Sequence, residues 1–420
     1  MPASFTSPVA EAVAPDLLER FKRYVQIDTQ SRVDRERSPS TPGQLDLLRL
    51  LVEELLAIGL EDAELDQHGY VYATLAATVP ATPVIGLLAH VDTSPDAPAS
   101  GVIPLVWSDY DGGVISLPQW GTKLDPATMP ELADKRGHDI VTSSGDTLLG
   151  ADDKAGVAAI MAAIGYLSAH PELPRPTLRI AFTPDEETGQ GAKLFDIPRF
   201  GARCAYTVDG STIGELQDES FTAVEVRIKI EGVGVHPGRA NGKLVSALRL
   251  ASQIVTSLPR DRLTPETTSG RDGFIHPIAL RGATDTAELR FILRDFDEAL
   301  LESHLELLRG AAEQVIAAAP PAKLDFEVIR QYRNMRQYIE RDPDVIAAAE
   351  EAYRAEGIEP IREPIRGGTD GSLLSEMGLP TPNIFDGGHE YHSIREWVSL
   401  QDMAASAATL VRLAEAWSRR

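Results

Sequence analysis

"LRIAFTPDEETGQGAKLF", residues Leu178–Phe195, joins an apolar run to three consecutive carboxylates, Asp185, Glu186 and Glu187, with a glycine close behind. A short apolar run bounded by proline and glycine reads as a buried strand. Adjacent carboxylates repel, so they sit together cheaply only on a solvated surface, around a shared proton, or beside a cation. The pattern recurs along the chain. "PVIGLLAH" ends at His90, "AYTVDG" ends at Asp209 and Gly210, and the helical stretch "KAGVAAIMAAIGYLSA" lies between them at Lys154–Ala169. Buried strands alternating with helices predict an α/β layer sandwich. In open α/β sheets ligands bind beyond the carboxyl ends of the strands, which would bring His90, Glu186, Glu187 and Asp209 together.

The flanking sequence extends this plan. Helices are expected at Asp16–Tyr24 and Gln44–Ile58, with the polar, proline-closed stretch "SRVDRERSPSTPG" as the loop between them. From Phe221 the texture changes: "FTAVEVRIKIEGVG" alternates Val224, Val226, Ile228 and Ile230 with charged residues, as a strand with one wet face does. A helix at Leu244–Leu258, the strand "TAELRFILRDF", a helix from Asp297 to Ala318 and the strand "KLDFEVIRQY" follow, with Pro259, Gly270, Gly273 and Pro277 marking loops. This succession reads as an α+β domain inserted into the first. The expected division is 1–217 and 332–420 for the outer domain and 218–331 for the insert. The outer pattern resumes with a helix at Val345–Ala355 and the strand "PTPNIFDGG".

Bulk properties narrow the function. At 420 residues the chain exceeds one ordinary core, and a formal charge of -23 argues against nucleic acid or an anionic membrane as partner. The single cysteine, Cys204, excludes an internal disulfide and any Cys-rich zinc knuckle, and its apolar neighbours predict a buried, packed thiol. No run approaches the roughly 20 apolar residues of a membrane span, and the N-terminal stretch lacks a basic, then apolar, leader pattern. A cytoplasmic protein is expected.

Taken singly, each polar residue has an ordinary reading. His90 would be a satisfied structural imidazole, Asp152 and Asp153 a helix cap, Glu186 and Glu187 a solvated turn, Asp209 a turn residue, and His392 in "GGHEYHS" a loop imidazole. Together they form an imidazole and carboxylate set without cysteine, the inventory of a hydrolytic zinc site. Two histidines and three carboxylates serve two metals if one carboxylate bridges them. Of two adjacent glutamates beside a dication, one can ligate while the other stays free to take a proton from water. Asp92, two residues beyond His90, falls on the same face of an extended chain and is placed to orient that ring.

"HVDTSPD", "LLGADDKAG", "AFTPDEETGQGAK", "YTVDG", "VHPGRANG", "LRDFD", "RGGTDGS" and "PTPNIFDGGHEYHS" occur in this order from about Leu17 to the C-terminus. This series resembles peptidase T, the tripeptide aminopeptidase branch of the two-zinc exopeptidases that include glutamate carboxypeptidase and acetylornithine deacetylase. The resemblance implies a zinc-exopeptidase-like α/β/α catalytic domain with an inserted α+β lid and dimerisation domain. It implies that His90, Asp152 and Asp209 bind one zinc and Asp152, Glu187 and His392 the other, with Asp152 as the bridge, Asp92 orienting His90 and Glu186 the general base. It also implies that His236 in "VHPG" contacts substrate and oxyanion, and that the chain dimerises through the inserted domain. Arg294 and Arg366 either clamp a peptide carboxylate or carbonyl or form structural ion pairs, and Asn383 lines the pocket. Thr188 stands where the commoner motif has valine, and a dozen or so residues precede the first expected helix, read as a flexible tail.

Short peptides with a free N-terminus, tripeptides above all, are the expected partners. The competing readings are a sister dipeptidase, carboxypeptidase or N-acyl amino-acid deacylase with the same metals, and a peptide-binding homologue without chemistry. A dinucleotide or nucleotide site is excluded, because "GVGVHPG" has proline where the last glycine is needed and no Walker lysine follows a glycine loop.

Overall fold

The computed structural model describes residues 4–35 and 37–420. The chain forms two compact units: one comprises the described residues up to Asp218 with Gln337–Glu363 and Thr369–Arg420, the other Glu219–Arg336 with Pro364–Gly368. The smaller unit runs five residues beyond the insert expected at 218–331 and also takes in a short segment near Arg366.

The larger unit is built on an eight-stranded sheet. Its order is Glu64–Leu65, Val71–Leu75, Leu178–Thr183, Ile85–His90, Cys204–Thr207, Asn383–Ile384, Glu215–Gln217 and Ile361–Arg362. Ile85–His90 is wholly buried and runs parallel to both of its neighbours. The helix Ala151–Ala169 packs on it, presenting small residues such as Ala155, Ala158 and Ala159. Gly156 permits the closest approach, because a Cβ there would lie 2.0 Å from the Val208 carbonyl oxygen. The Cys204 thiol is buried in its strand, and desolvation raises its pKa, leaving an inert packed group.

Two expectations for this unit are corrected. The first helix starts at Pro8, capped by Ser7, and not at Asp16. Pro15 lies inside the helix, where loss of one backbone bond is offset by burial of Val9, Ala10, Val13 and Ala14, the helix packing on Ala151–Ala169 and Leu400–Trp417. From Pro8 onward the supposed tail is thus helix, with one apolar face in the core. "PTPNIFDGG" is not one strand: Asn383–Ile384 joins the large sheet, while Gly388–His389, after Gly387 with φ +90°, joins a second sheet with Trp397–Ser399, Ile140–Thr142 and Leu105–Trp107.

The smaller unit is a four-stranded antiparallel sheet ordered Phe274–Gly282, Thr286–Asp295, Thr222–Glu231 and Lys323–Tyr332, with helices Ala247–Ser257 and Glu298–Ala317 packed on it. Val224, Val226, Ile228 and Ile230 enter its core while Arg227 and Lys229 face out, as the alternation predicts. Pro277, expected in a loop, sits inside the edge strand Phe274–Gly282 at a register shift. An edge strand tolerates proline there because that position owes no ladder hydrogen bond. Among the described residues no helix is long and apolar enough to cross a membrane.

Candidate metal centre

The site gathers on adjacent strand tips. Ile85–His90 ends at His90, Leu178–Thr183 leads through Pro184 into the single turn Glu186–Thr188, and Cys204–Thr207 leads through Val208 to Asp209. His90 pairs with Thr183 and Leu88 with Thr207, so the three tips share one edge of the sheet. Asp152 comes from the start of the long helix, where it and Asp153 depart from helical φ and ψ. His392 comes from the loop after Gly388–His389 and holds a left-handed backbone at φ 58°. Such non-glycine strain persists only where surrounding contacts over-determine it.

His90, Asp152 and Asp209 offer ligand atoms within 4.8 Å of one another, and so do Asp152, Glu187 and His392. Asp152 belongs to both groups through different oxygens: Oδ1 lies 2.9 Å from His90 Nε2 and Oδ2 lies 3.2 Å from His392 Nε2. Asp209 Oδ1 is 3.6 Å from His90 Nε2, and Glu187 Oε2 is 3.0 Å from His392 Nε2. The electrostatics record the crowding. Burial pushes Glu187 up to about 8, lifts Asp209, and drives Glu186 well above the carboxylate range. Hydrogen bonds to Asp152 and Glu187 raise His392 to about 11. For His90, burial disfavours the charged ring, but Asp152, Asp209 and Asp92 outweigh it and its pKa rises.

The chain has relatives among known proteins. Peptidase T of Geobacillus thermodenitrificans (strain NG80-2) is 46% identical over 407 residues, which cover 96% of this chain and 99% of that protein. The description of peptidase family M20/M25/M40 matches residues 147–416. The chain belongs to the peptidase T branch of that family. Among solved structures, aminopeptidase PepT from Bacillus cereus ATCC 10987 superposes with a TM-score of 0.75 at 24% identity, covering 96% of this chain and 98% of the other. A tripeptidase from Staphylococcus aureus subsp. aureus Mu50 gives 0.77 at 21% identity, covering 97% and 99%. These two likenesses bear on the fold. As a member of a peptidase family, the chain is a hydrolase.

The remaining residues of this M20 site are held by contacts that spacing could not reveal. His90 Nδ1 is 3.0 Å from the Asp92 backbone carbonyl and 3.4 Å from its carboxylate Oδ1, so the main chain supplies the closer partner. The Asp92 carboxylate instead accepts from the backbone N–H of Glu186 at 2.9 Å and of Glu187 at 3.2 Å, fixing the turn that carries both glutamates. Asp185 turns away at φ 61°. It accepts from Ser40 N–H at 2.8 Å, from the Ser40 hydroxyl, and from Gln44 Nε2 at 2.8 Å. The acidic trio is therefore divided: Asp185 anchors the turn, Glu187 enters the group with Asp152 and His392, and Glu186 stands outside both groups. Asp153 accepts from His90 N–H at 3.0 Å, and the buried Glu396 accepts three backbone N–H groups around Asp152. Neither Asp185 nor Glu396 carries a sequence signal beyond being acidic.

Asn383 is buried, with Nδ2 donating to the Asp209 carbonyl at 3.3 Å and Oδ1 accepting from the Thr369 hydroxyl at 3.1 Å. It braces the segment bearing Asp209. His236, Arg294 and Arg366 lie in the smaller unit. His236 is exposed and its Nδ1 accepts from Gly238 N–H at 3.2 Å, which leaves the proton of a neutral ring on Nε2. Arg294 donates to the Leu293 carbonyl at 3.0 Å and lies over the Tyr332 ring. Arg366 donates to the Gly270 and Asp272 carbonyls at 2.7 and 2.8 Å and covers Phe221. Both guanidinium groups thus contact main-chain carbonyls and aromatic rings of their own unit, not the structural ion pairs that the sequence offered as the alternative to a clamp.

Proposed function

We propose that the protein is a two-zinc tripeptide aminopeptidase, cytoplasmic, that releases the first residue of short peptides with a free N-terminus. The observation that carries the reading is the division of the Asp152 carboxylate, one oxygen toward the group with His90 and Asp209 and the other toward the group with Glu187 and His392. Two imidazoles, three carboxylates and no thiolate suit zinc. Glu187 Oε1 is buried without a hydrogen-bond partner, a lone pair left for a cation. His90, Asp152 and Asp209 would hold one ion, and Asp152, Glu187 and His392 the other. When bound, such ions lower the pKa of water and polarise a carbonyl.

In this reading Glu186 is the general base. It takes a proton from the attacking water and delivers it to the departing amine. Asp92 keeps the base in place through the backbone of the turn and keeps His90 in one orientation. His236, donating from Nε2, supplies an oxyanion contact. The smaller unit serves as lid and dimerisation domain. Arg294 and Arg366 act through packing rather than as substrate clamps.

The test is to incubate the zinc-loaded protein with a tripeptide, its N-acetylated form, its C-terminal amide and the matching dipeptide, and to read the products by mass spectrometry beside Glu186→Gln. Release of the first residue only from peptides with a free amine, lost in the variant, supports the reading. Removal of a C-terminal residue or of the acetyl group replaces it with a sister activity.

A further inference from the structure

We infer that Glu396 is a positioning residue that sets the separation of two ligand-bearing segments, the one with Asp152 and the one with His392. The inference rests on the two-zinc reading above. Glu396 is buried, four residues beyond His392 and directly before the buried strand Trp397–Ser399. Its Oε2 accepts from the backbone N–H of Leu149 and of Gly150, both at 2.7 Å, and its Oε1 accepts from Asp152 N–H at 3.1 Å. These amides need an outside acceptor. They sit at the start of Ala151–Ala169, where Gly150 is left-handed at φ 84° and Asp152 and Asp153 are not helical, so no preceding turn satisfies them.

The same residue fastens the other segment. Glu396 N–H donates to the Ser393 carbonyl at 3.2 Å, closing the turn that follows His392. Side chain and main chain of one residue thereby touch both loops, and the distance between those loops is the one read as 3.2 Å between Asp152 Oδ2 and His392 Nε2. His90 and Asp209 are held differently, on neighbouring parallel strands whose register does not involve Glu396. Loss of its carboxylate should therefore fall harder on the ion held with His392, which takes two ligands from these segments, than on the other, which takes Asp152 alone.

Metal-free wild type, Glu396→Ala and Glu396→Gln are titrated with Zn²⁺ by calorimetry, and with Co²⁺ followed by its visible absorption. The wild type is expected to take up two ions. In Glu396→Ala the second ion should bind about 10- to 100-fold more weakly, as on loss of other outer contacts to ligands, while the first, which shares Asp152, should weaken by clearly less. Glu396→Gln keeps an oxygen for Leu149 and Gly150 but sets an N–H against Asp152 N–H; it decides the matter if the alanine variant does not fold, and its second ion should weaken by at least about threefold. Two ions bound by the variants with wild-type affinity overturn the inference alone, as does equal weakening of both ions. Fewer than two ions in the wild type overturns the two-zinc reading and this inference with it.

Discussion

Asp152 and His392 meet at 3.2 Å, Oδ2 to Nε2, while the other oxygen of Asp152 is committed to His90 at 2.9 Å. One carboxylate thus ties the loop near the C-terminus to the central strand of the sheet. Substituting Asp152 by Asn should leave one acceptor oxygen for two sites, so the protein should retain at most one tightly bound ion and lose hydrolysis. Metal content after gel filtration, beside peptide turnover, checks this; two retained ions would sink the bridging assignment.

Glu186→Gln should lower kcat by about 10²- to 10⁴-fold, the usual worth of a positioned base. The variant should leave KM and the two-ion content nearly unchanged, because Glu186 is outside both ligand groups. Single-turnover kinetics with metal analysis separates this outcome from a loss of ions, which would make Glu186 a ligand.

Asp185→Ala should act on stability and rate together. It leaves the buried donors of Ser40 and Gln44 without their acceptor, at about 1–3 kcal/mol for each group. It also frees the turn that carries Glu186. Urea unfolding should show a loss of at least about 2 kcal/mol together with a fall in kcat; an unchanged midpoint would mean that the Ser40 contact contributes little.

Removal of residues 1–14 tests the N-terminal helix. Val9 and Val13 are buried, and each is worth about 1.5–3 kcal/mol of transfer free energy. The truncated chain should melt well below the full one, whereas a flexible tail would be lost without effect.

His389 predicts an acid-side instability. It is buried, stacked on Trp397 at 4.3 Å, and desolvation, aided by Lys135, depresses its pKa to about 3. The folded state keeps the ring neutral while the unfolded chain protonates it below about 6.5. Stability is therefore complete above that pH and declines as pH falls toward 3, at up to about 1.4 kcal/mol per pH unit. His389→Phe keeps the stack without the titration, so the difference in unfolding free energy between the two proteins should change sharply between pH 6.5 and 5. A pH-independent difference would rule the mechanism out.

The strand tips were legible because each apolar run stops where the chemistry begins: His90, Glu186 with Glu187, and Asp209 all follow a buried strand. The smaller unit was legible from the alternation in Thr222–Glu231. What escaped the sequence depends on partners remote in the chain. Asp185 belongs to the loop before Gln44 rather than to its acidic neighbours, and nothing local distinguishes it from Glu186. Glu396 is a lone acid in "SIREWVS", given meaning by amides near Gly150. Pro277 reads as a loop marker because local rules treat proline so, yet an edge position accommodates it.

The short strand Asn383–Ile384 lies between Cys204–Thr207 and Glu215–Gln217, so the large sheet is continuous only after this late segment has inserted. His392 follows it by a few residues. During synthesis, a ribosome that has already released His90, Asp152 and Asp209 holds a chain whose sheet still has a gap and whose second ligand group lacks its imidazole. If His392 is the ligand proposed above, a chain cut before residue 383 should lack both the bridging strand and the second ion.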